Sequence, residues 1–251
     1  FYLAKETAVK KEDGSFVEEK ALGMSYGGFD TEVVNGHISK EDYIEILRYA
    51  WERRIKVIPE FDMPAHAYAM IKSMEKYAER TGDTSYLLSE PEDQSEYRSV
   101  QRFTHNAINV ALPSTYNFIE VIFDQVIAYH NEAGVPLPAI HVGGDEVPHG
   151  AWEKSPACMK LMEENGWTNL RMLKSYFLNK VLDIAEPRGV KISGWQEMVT
   201  DIDPVVCERV KKSLLSVNLW SVRGKKEQLP YEFANQGLPV VLSNSTSTYL
   251  D

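Results

Sequence analysis

The chain has 251 residues, 43% of them hydrophobic and 25% charged, an ordinary composition for one large globular domain or two small ones. Its 27 Lys and Arg stand against 37 Asp and Glu, a formal net charge of −10. No basic run exceeds a few residues, so nucleic acid and anionic membrane are poor partners.

No apolar run approaches the ~20 residues needed to span a bilayer, and Cys158 and Cys207 are too few and too far apart for a metal knuckle or a disulfide-dense scaffold. The opening FYLAKETAVKKEDGSF has neither an initiator Met nor a signal-peptide apolar region, which fits a start inside a larger protein. Trp, Tyr and Phe make up 11% of the chain, enough either for stacking on sugars or for a large core.

In chain order, Ser39 and Asp42 form a capping box that opens a helix over 38–54, with Tyr43, Ile46, Leu47 and Ala50 on one face. A strand follows at 55–61 (IKVIPEF), then a helix over 67–80. Residues 81–113 form a long connection with little helical period; connections of that length are functional or ordered by what they cover. A helix from Ser114 to Ala133 is closed by Gly134 in a left-handed conformation. Next come a strand at 138–142 (PAIHV), a short helix at 155–165, and a helix from Asn169 stopped by Pro187 and Gly189. The remainder alternates: strand 190–195, helix 203–212, strand 214–220, helix 230–236, strand 238–243.

The strand runs are continuously apolar, as expected of a parallel sheet buried on both faces. Alternation of strand and helix gives an α/β fold, either a doubly wound sheet or an eight-stranded barrel. A doubly wound nucleotide binder should carry a Gly-rich turn, and no G-x-G-x-x-G or GK[ST] loop is present. The junctions instead carry acids and aromatics: PEFD, GGDE, GWQE, NLW and STYLD. Such residues at the C-terminal ends of strands are where a barrel keeps its active site. With five strands found and no internal repeat or linker, the expectation is one domain over 1–251, an incomplete (β/α)8 TIM barrel.

In AIHVGGDEV, Asp145 and Glu146 are adjacent, and adjacent residues on a strand point to opposite faces. Gly143 and Gly144 end the strand and free both acids to face one point. Two carboxylates in a partly dry pocket repel, which favours keeping one of them protonated, as a general acid requires; taken alone, the pair reads as a solvated turn. Asp62 and His66, four residues apart, read either as an ion-paired structural histidine or as a proton network. Glu60, next to Pro59, reads equally as a buried structural acid or as part of that network. Trp195 and Trp220 end two strands as core or as a sugar platform, and Tyr249 is either structural or a donor to a substrate carbonyl.

These residues resemble glycoside hydrolase family 20, the β-N-acetylhexosaminidases. The motif H-x-G-G-D-E is matched by His141, Gly143, Gly144, Asp145 and Glu146, and I-P-E-x-D-x-P-x-H by Ile58, Pro59, Glu60, Asp62, Pro64 and His66. G-W-x-E is matched by Gly194, Trp195 and Glu197, followed by Trp220 and by the Y-L-D of Tyr249, Leu250 and Asp251. Ala65 and the segment 85–109 resemble the bacterial chitobiase branch.

The resemblance implies a barrel that removes terminal β-linked N-acetylglucosamine or N-acetylgalactosamine from oligosaccharides with retention, without metal or organic cofactor. The substrate's own acetamido oxygen replaces the usual carboxylate nucleophile. Glu146 would be the general acid and base, Asp145 would orient the acetamide, and Tyr249 would bind its oxygen. Trp195 and Trp220 would wall the acetyl group, and Asp251 would bind hydroxyls. Asp62, His66 and His141 would support the acids from behind.

On this alignment the chain spans about strands three to seven of a longer enzyme and would be weakly active or inactive alone. Family habit places such enzymes in the periplasm, at the cell surface or outside the cell. Two rivals follow from the residues alone. One is a metal-dependent hydrolase using Asp62, His66, His141 and Asp145; the other is a sugar-binding barrel without turnover.

Overall fold

The computed structural model describes residues 38–249 together with the short segments 8–10 and 16–18. Ala8–Lys10 (β1) and Phe16–Glu18 (β2) form an antiparallel pair that the sequence did not announce, since three-residue strands are too short to show a period. The main sheet has five strands: Glu60–Met63 (β3), Ile140–Gly143 (β4), Ile192–Trp195 (β5), Leu214–Leu219 (β6) and Val240–Leu242 (β7). They pair in chain order and every pairing is parallel.

That order decides between the two α/β solutions. A doubly wound sheet reverses its strand order at a switch point, whereas here each strand lies beside the next one in the chain, as in an arc of a (β/α)8 barrel. Parallel neighbours need crossovers. Tyr68–Thr81 (α2) and Pro113–Ala133 (α3) lie between β3 and β4, and Pro156–Glu164 (α4) and Arg171–Ala185 (α5) between β4 and β5. Pro204–Ser213 (α6) links β5 to β6, and Leu229–Asn235 (α7) links β6 to β7. Helix Lys40–Glu52 (α1) packs on α3, α3 on α5, and α5 on α6, forming part of an outer ring.

The helix ends follow from their caps. Ser39 and Asp42 exchange both bonds of a capping box at the start of α1. Pro113 opens α3 and Gly134, at φ 69°, closes it; Gly189 ends the turn after α5 at φ 66°. On α1 the inward residues are Ile44, Leu47 and Ala50, while Ile46, expected inside, is 41% exposed. The core lies between sheet and ring, where Ile140, Val142 and Ile192 meet Phe123, Leu173 and Leu182. Each such side chain contributes roughly 1.5–3 kcal/mol on burial. Among the described residues, no helix is long and apolar enough to cross a membrane.

The long connection 82–112 contains neither helix nor strand, yet it is pinned at several points. The Glu90 carboxylate accepts from Ser155 Oγ at 2.6 Å, Asn109 Nδ2 at 3.1 Å and the Ala157 amide at 3.0 Å, sitting on the N-terminus of α4. Tyr97 Oη accepts the amides of Asn106 and Ala107, and Trp152 donates to the Ile108 carbonyl. A segment without regular structure is thereby held over the C-terminal ends of β3 and β4.

Candidate active site

Strand β4 ends in two glycines with positive φ, 74° at Gly143 and 98° at Gly144. Conformation is only half the reason for them. A Cβ on Gly143 would overlap the Asp62 carboxylate and lie 2.8 Å from Asp62 Cα, and one on Gly144 would come within 2.7 Å of Met198 Cβ. The neighbouring strand end and the turn after β5 thus approach bare backbone. Glu146 follows with a left-handed φ of 47°, and His66 sits in the same region at 54°. Non-glycine residues held there cost about 1–3 kcal/mol and cluster at functional sites.

On β3, Glu60 and Asp62 are two residues apart, and across an irregularity in the ladder with β4 both reach the same cavity. Trp195 is the last residue of β5, Trp220 follows β6, and Tyr249 follows a single helical turn, Ser245–Thr248 (α8). All converge on one cavity of about 280 Å³ lined by Glu60, Asp62, His66, Gln101, Asp145, Glu146, Trp195, Trp220 and Tyr249. Seven of these were expected from the sequence. His141 lies behind the wall, 6% exposed, with Nδ1 3.2 Å from Glu60 Oε1 and its ring edge-on to Trp195 at 5.1 Å. Asp251 lies outside the described residues.

Two lining residues stand outside those expected. Of its two readings, Glu60 is not the buried structural acid: its side chain is 42% exposed, and Oε1 accepts from Trp195 Nε1 at 2.9 Å. Gln101 carried no sequence signal beyond its place in a long loop, yet its Nε2 donates to Glu146 Oε2 at 3.0 Å. Behind the cavity, Glu197 Oε2 accepts from Trp220 Nε1 at 3.0 Å.

The charges are organised around His66, whose Nε2 lies 3.4 Å from both Asp145 Oδ2 and Glu146 Oε2. Its contact with Asp145 and the two negative charges raise the imidazole's pKa despite burial. For Asp145, burial works to raise the pKa, but His66 and then Asp62 outweigh it and hold the carboxyl below its usual range. Asp62 goes the other way: burial and the Asp145 charge push it up to about 9. Burial also opposes ionisation of Glu60, but contacts with His141 and Trp195 lower its pKa on balance. At neutral pH the arrangement is therefore a neutral Asp62 beside an ionised Asp145 paired with His66.

Asp62 Oδ1, Asp145 Oδ1 and His66 Nε2 are buried without a hydrogen-bond partner among the described residues. One donor atom from each residue lies within 4.8 Å of the others, so this trio is where a cation would fit. His141 stands outside it, against Glu60, and a metal would first have to displace the proton on Asp62. An amide N–H arriving at Asp145 Oδ1 meets an ionised acceptor with no such displacement.

Known proteins show the same chain pattern. β-Hexosaminidase B of Pseudoalteromonas piscicida is 36% identical over 226 residues, covering 87% of this chain and 28% of that protein. N,N'-diacetylchitobiase of Vibrio harveyi is 31% identical over 256 residues, covering 86% of this chain and 29% of the relative. The crystal structure of an exo-β-N-acetylglucosaminidase from Vibrio harveyi in complex with N-acetylglucosamine superposes with a TM-score of 0.70 at 35% identity, over 84% of this chain and 29% of that one. The chain thus spans under a third of the length of these relatives. The model of the glycosyl hydrolase family 20 catalytic domain matches residues 3–251, and the chain belongs to that family.

Proposed function

We propose that this chain carries the acid/base and acetamide-binding residues of an exo-acting β-N-acetylhexosaminidase. In this reading it cleaves terminal N-acetylglucosamine or N-acetylgalactosamine from chitobiose-type substrates with retention of configuration. One observation carries the reading: adjacent acids Asp145 and Glu146 share a single cavity with two indoles and a phenol. At about 280 Å³ the cavity is near the lower bound of ~300 Å³ for small-molecule sites, so it suits one sugar ring at the end of a glycan. The relatives' names point to the same substrates.

The chemistry follows from the placement of these groups. The acetamido oxygen attacks C1 as the C1–O bond to the leaving sugar breaks, and Glu146 gives its proton to the departing oxygen. Asp145, ionised through His66, accepts the acetamide N–H and balances the positive charge that grows on nitrogen as the oxazoline ring closes. Tyr249 donates to the acetamido oxygen, and Trp195 and Trp220 hold the methyl group against the sugar. Water then attacks C1, Glu146 takes its proton, and the ring reopens with the original configuration restored. Gln101 keeps the Glu146 carboxyl turned toward the bond being cut. An intramolecular nucleophile held in line has an effective molarity of ~10⁵ M or more, which is what the two indoles secure.

The test uses the full-length protein and a chromogenic N-acetyl-β-glucosaminide. Glu146→Gln should lower kcat by roughly 10²–10⁴ while sugar binding persists, and a matching glucoside with a 2-hydroxyl should not be cleaved. Retained turnover in Glu146→Gln, or equal cleavage of the glucoside, would remove the proposed mechanism. A wild type that binds the sugar and hydrolyses nothing would make the chain a lectin.

A further inference from the structure

Each indole of the pocket is tied to a carboxylate: Trp195 Nε1 to Glu60 and Trp220 Nε1 to Glu197. Glu60 lines the cavity and is open to substrate; Glu197 does not line it. Glu197 belongs to a single 3-10 turn, Gln196–Met198, that begins directly after Trp195. The same turn grips the segment carrying Trp220. Gln196, 1% exposed, accepts the amides of Trp220 at 3.1 Å and Ser221 at 2.9 Å through Oε1 and donates to the Ser221 carbonyl at 3.2 Å. Lys174, half-buried on α5, fixes the turn from below by donating to the Glu197 carbonyl at 2.9 Å.

An indole has one N–H donor and two side-chain torsions, so one well-placed acceptor selects its rotation. Gln196 fixes where the Trp220 backbone stands, and Glu197 fixes how its ring is turned. Both act from the two residues next to Trp195, so the gap between the two walls is set by a rigid turn and not by loose packing of two independent rings.

We propose that Glu197 is a positioning residue which, through Trp220, sets the size of the acyl group that the pocket accepts. This rests on the hexosaminidase reading above. Glu197 makes no contact with substrate; its effect is on selectivity between the N-acetyl group and longer N-acyl chains. A different role is open to the same carboxylate, since Lys226 Nζ lies 3.9 Å from Glu197 Oε1 and a purely electrostatic pairing with Lys226 and Lys174 would leave the indole incidental.

Two substitutions separate these roles in the full-length protein. Glu197→Gln keeps an acceptor at the same reach and loses the charge; Glu197→Asp keeps the charge and falls short of the indole. The readout is the ratio of kcat/KM for the N-acetyl and N-butanoyl forms of one chromogenic β-glucosaminide. Glu197→Asp should lower that ratio roughly tenfold, the scale of one hydrogen bond to a charged group, and Glu197→Gln should keep it near wild type. The reverse order, or no change in either variant, overturns the proposal. In a Trp220→Phe background, which lacks the N–H, Glu197→Asp should change the ratio no further. If the wild type cleaves neither substrate, the hexosaminidase reading fails separately; crystal structures of the variants then decide the positioning role. A Trp220 ring turned as in wild type in Glu197→Asp would refute it, and a ring rotated out of place would sustain it.

Discussion

Gly82 and Gly143 make a matched pair for measuring what close approach contributes to the site. Both have positive φ, 75° and 74°. Gly82 caps α2 with nothing within 4 Å of a built Cβ, whereas at Gly143 the new atom overlaps the Asp62 carboxylate and sits 2.8 Å from Asp62 Cα. Alanine at Gly82 therefore meets only the left-handed conformational cost, about 1–2 kcal/mol. Alanine at Gly143 meets the same cost plus that of overpacking against backbone that cannot swing aside, roughly a further 1–3 kcal/mol. The total at Gly143 is about 2–5 kcal/mol. Denaturant titration of the two variants in the full-length protein reads the difference. The Gly143 variant should also lose kcat/KM, because β3 must retreat and carry Asp62 away from Asp145, while the Gly82 variant keeps wild-type turnover. Equal destabilisation by both, or full activity in Gly143→Ala, would refute the claim that the strand ends are spaced for a bare backbone.

Two further outcomes follow from the electrostatics and the loop. Burial and the Asp145 charge push Asp62 up to about 9 from the 3.8 of an ordinary Asp, so its protonated form favours the folded state; this contribution is fully present below about pH 4 and is lost as pH rises through 9. Wild-type stability should therefore fall between pH 7 and 9.5 by at most about 1.4 kcal/mol per pH unit from this group, and Asp62→Asn, which cannot ionise, should flatten that limb in pH-dependent unfolding; parallel curves would show that Asp62 is not the titrating group. Glu90→Ala strips the acceptor shared by Ser155, Asn109 and the Ala157 amide. It should cost about 2–3 kcal/mol and raise KM as the loop bearing Gln101 loosens, visible as faster amide exchange across 82–112; unchanged exchange would mean that the other pins suffice.

Where the sequence was legible, a local rule sufficed. The caps at Ser39, Gly134 and Gly189 depend on a few neighbouring residues, and each stands where those residues place it. All five main strands were readable as apolar runs, but β3 begins at Glu60 and not at residue 55, because Ile55 and Ile58 are 57% and 38% exposed and the ladder with β4 starts at Glu60 opposite His141. Propensity marks a β-branched run; only a partner strand makes it a ladder. The site was legible where motif residues sit at strand ends, which chain order alone brings together in a barrel. Gln101 was not, because a polar residue in an aperiodic loop gives no sign of where the loop is pinned. Glu60 stayed open between two readings for a related reason: whether an acid at a strand end is buried depends on what the next strands carry, here Trp195 and His141.

The cavity crowds four carboxyls, Glu60, Asp62, Asp145 and Glu146, around one imidazole, and the ways this is tolerated bear on catalysis. Asp62 keeps its proton, so no second charge faces Asp145. Glu60 accepts the Trp195 N–H at 2.9 Å and lies 3.2 Å from the His141 ring, contacts that lower its pKa against burial. Among the described residues of the lining, His66 is the basic side chain, with its pKa raised by the two adjacent acids between which it is shared. Such a site has an excess of negative charge and, at Asp145 Oδ1, a buried oxygen without a hydrogen-bond partner among the described residues, a state that costs free energy when the cavity is filled by water-excluding but uncharged groups. In the proposed reaction that cost would fall as positive charge develops on the bound ring and its acetamide. Stabilisation that grows from ground state to transition state is the part that accelerates a reaction. Under the proposed mechanism the same crowding gives a reason for Asp62 to stay protonated: a second carboxylate there would compete with Asp145 and Glu146 for His66.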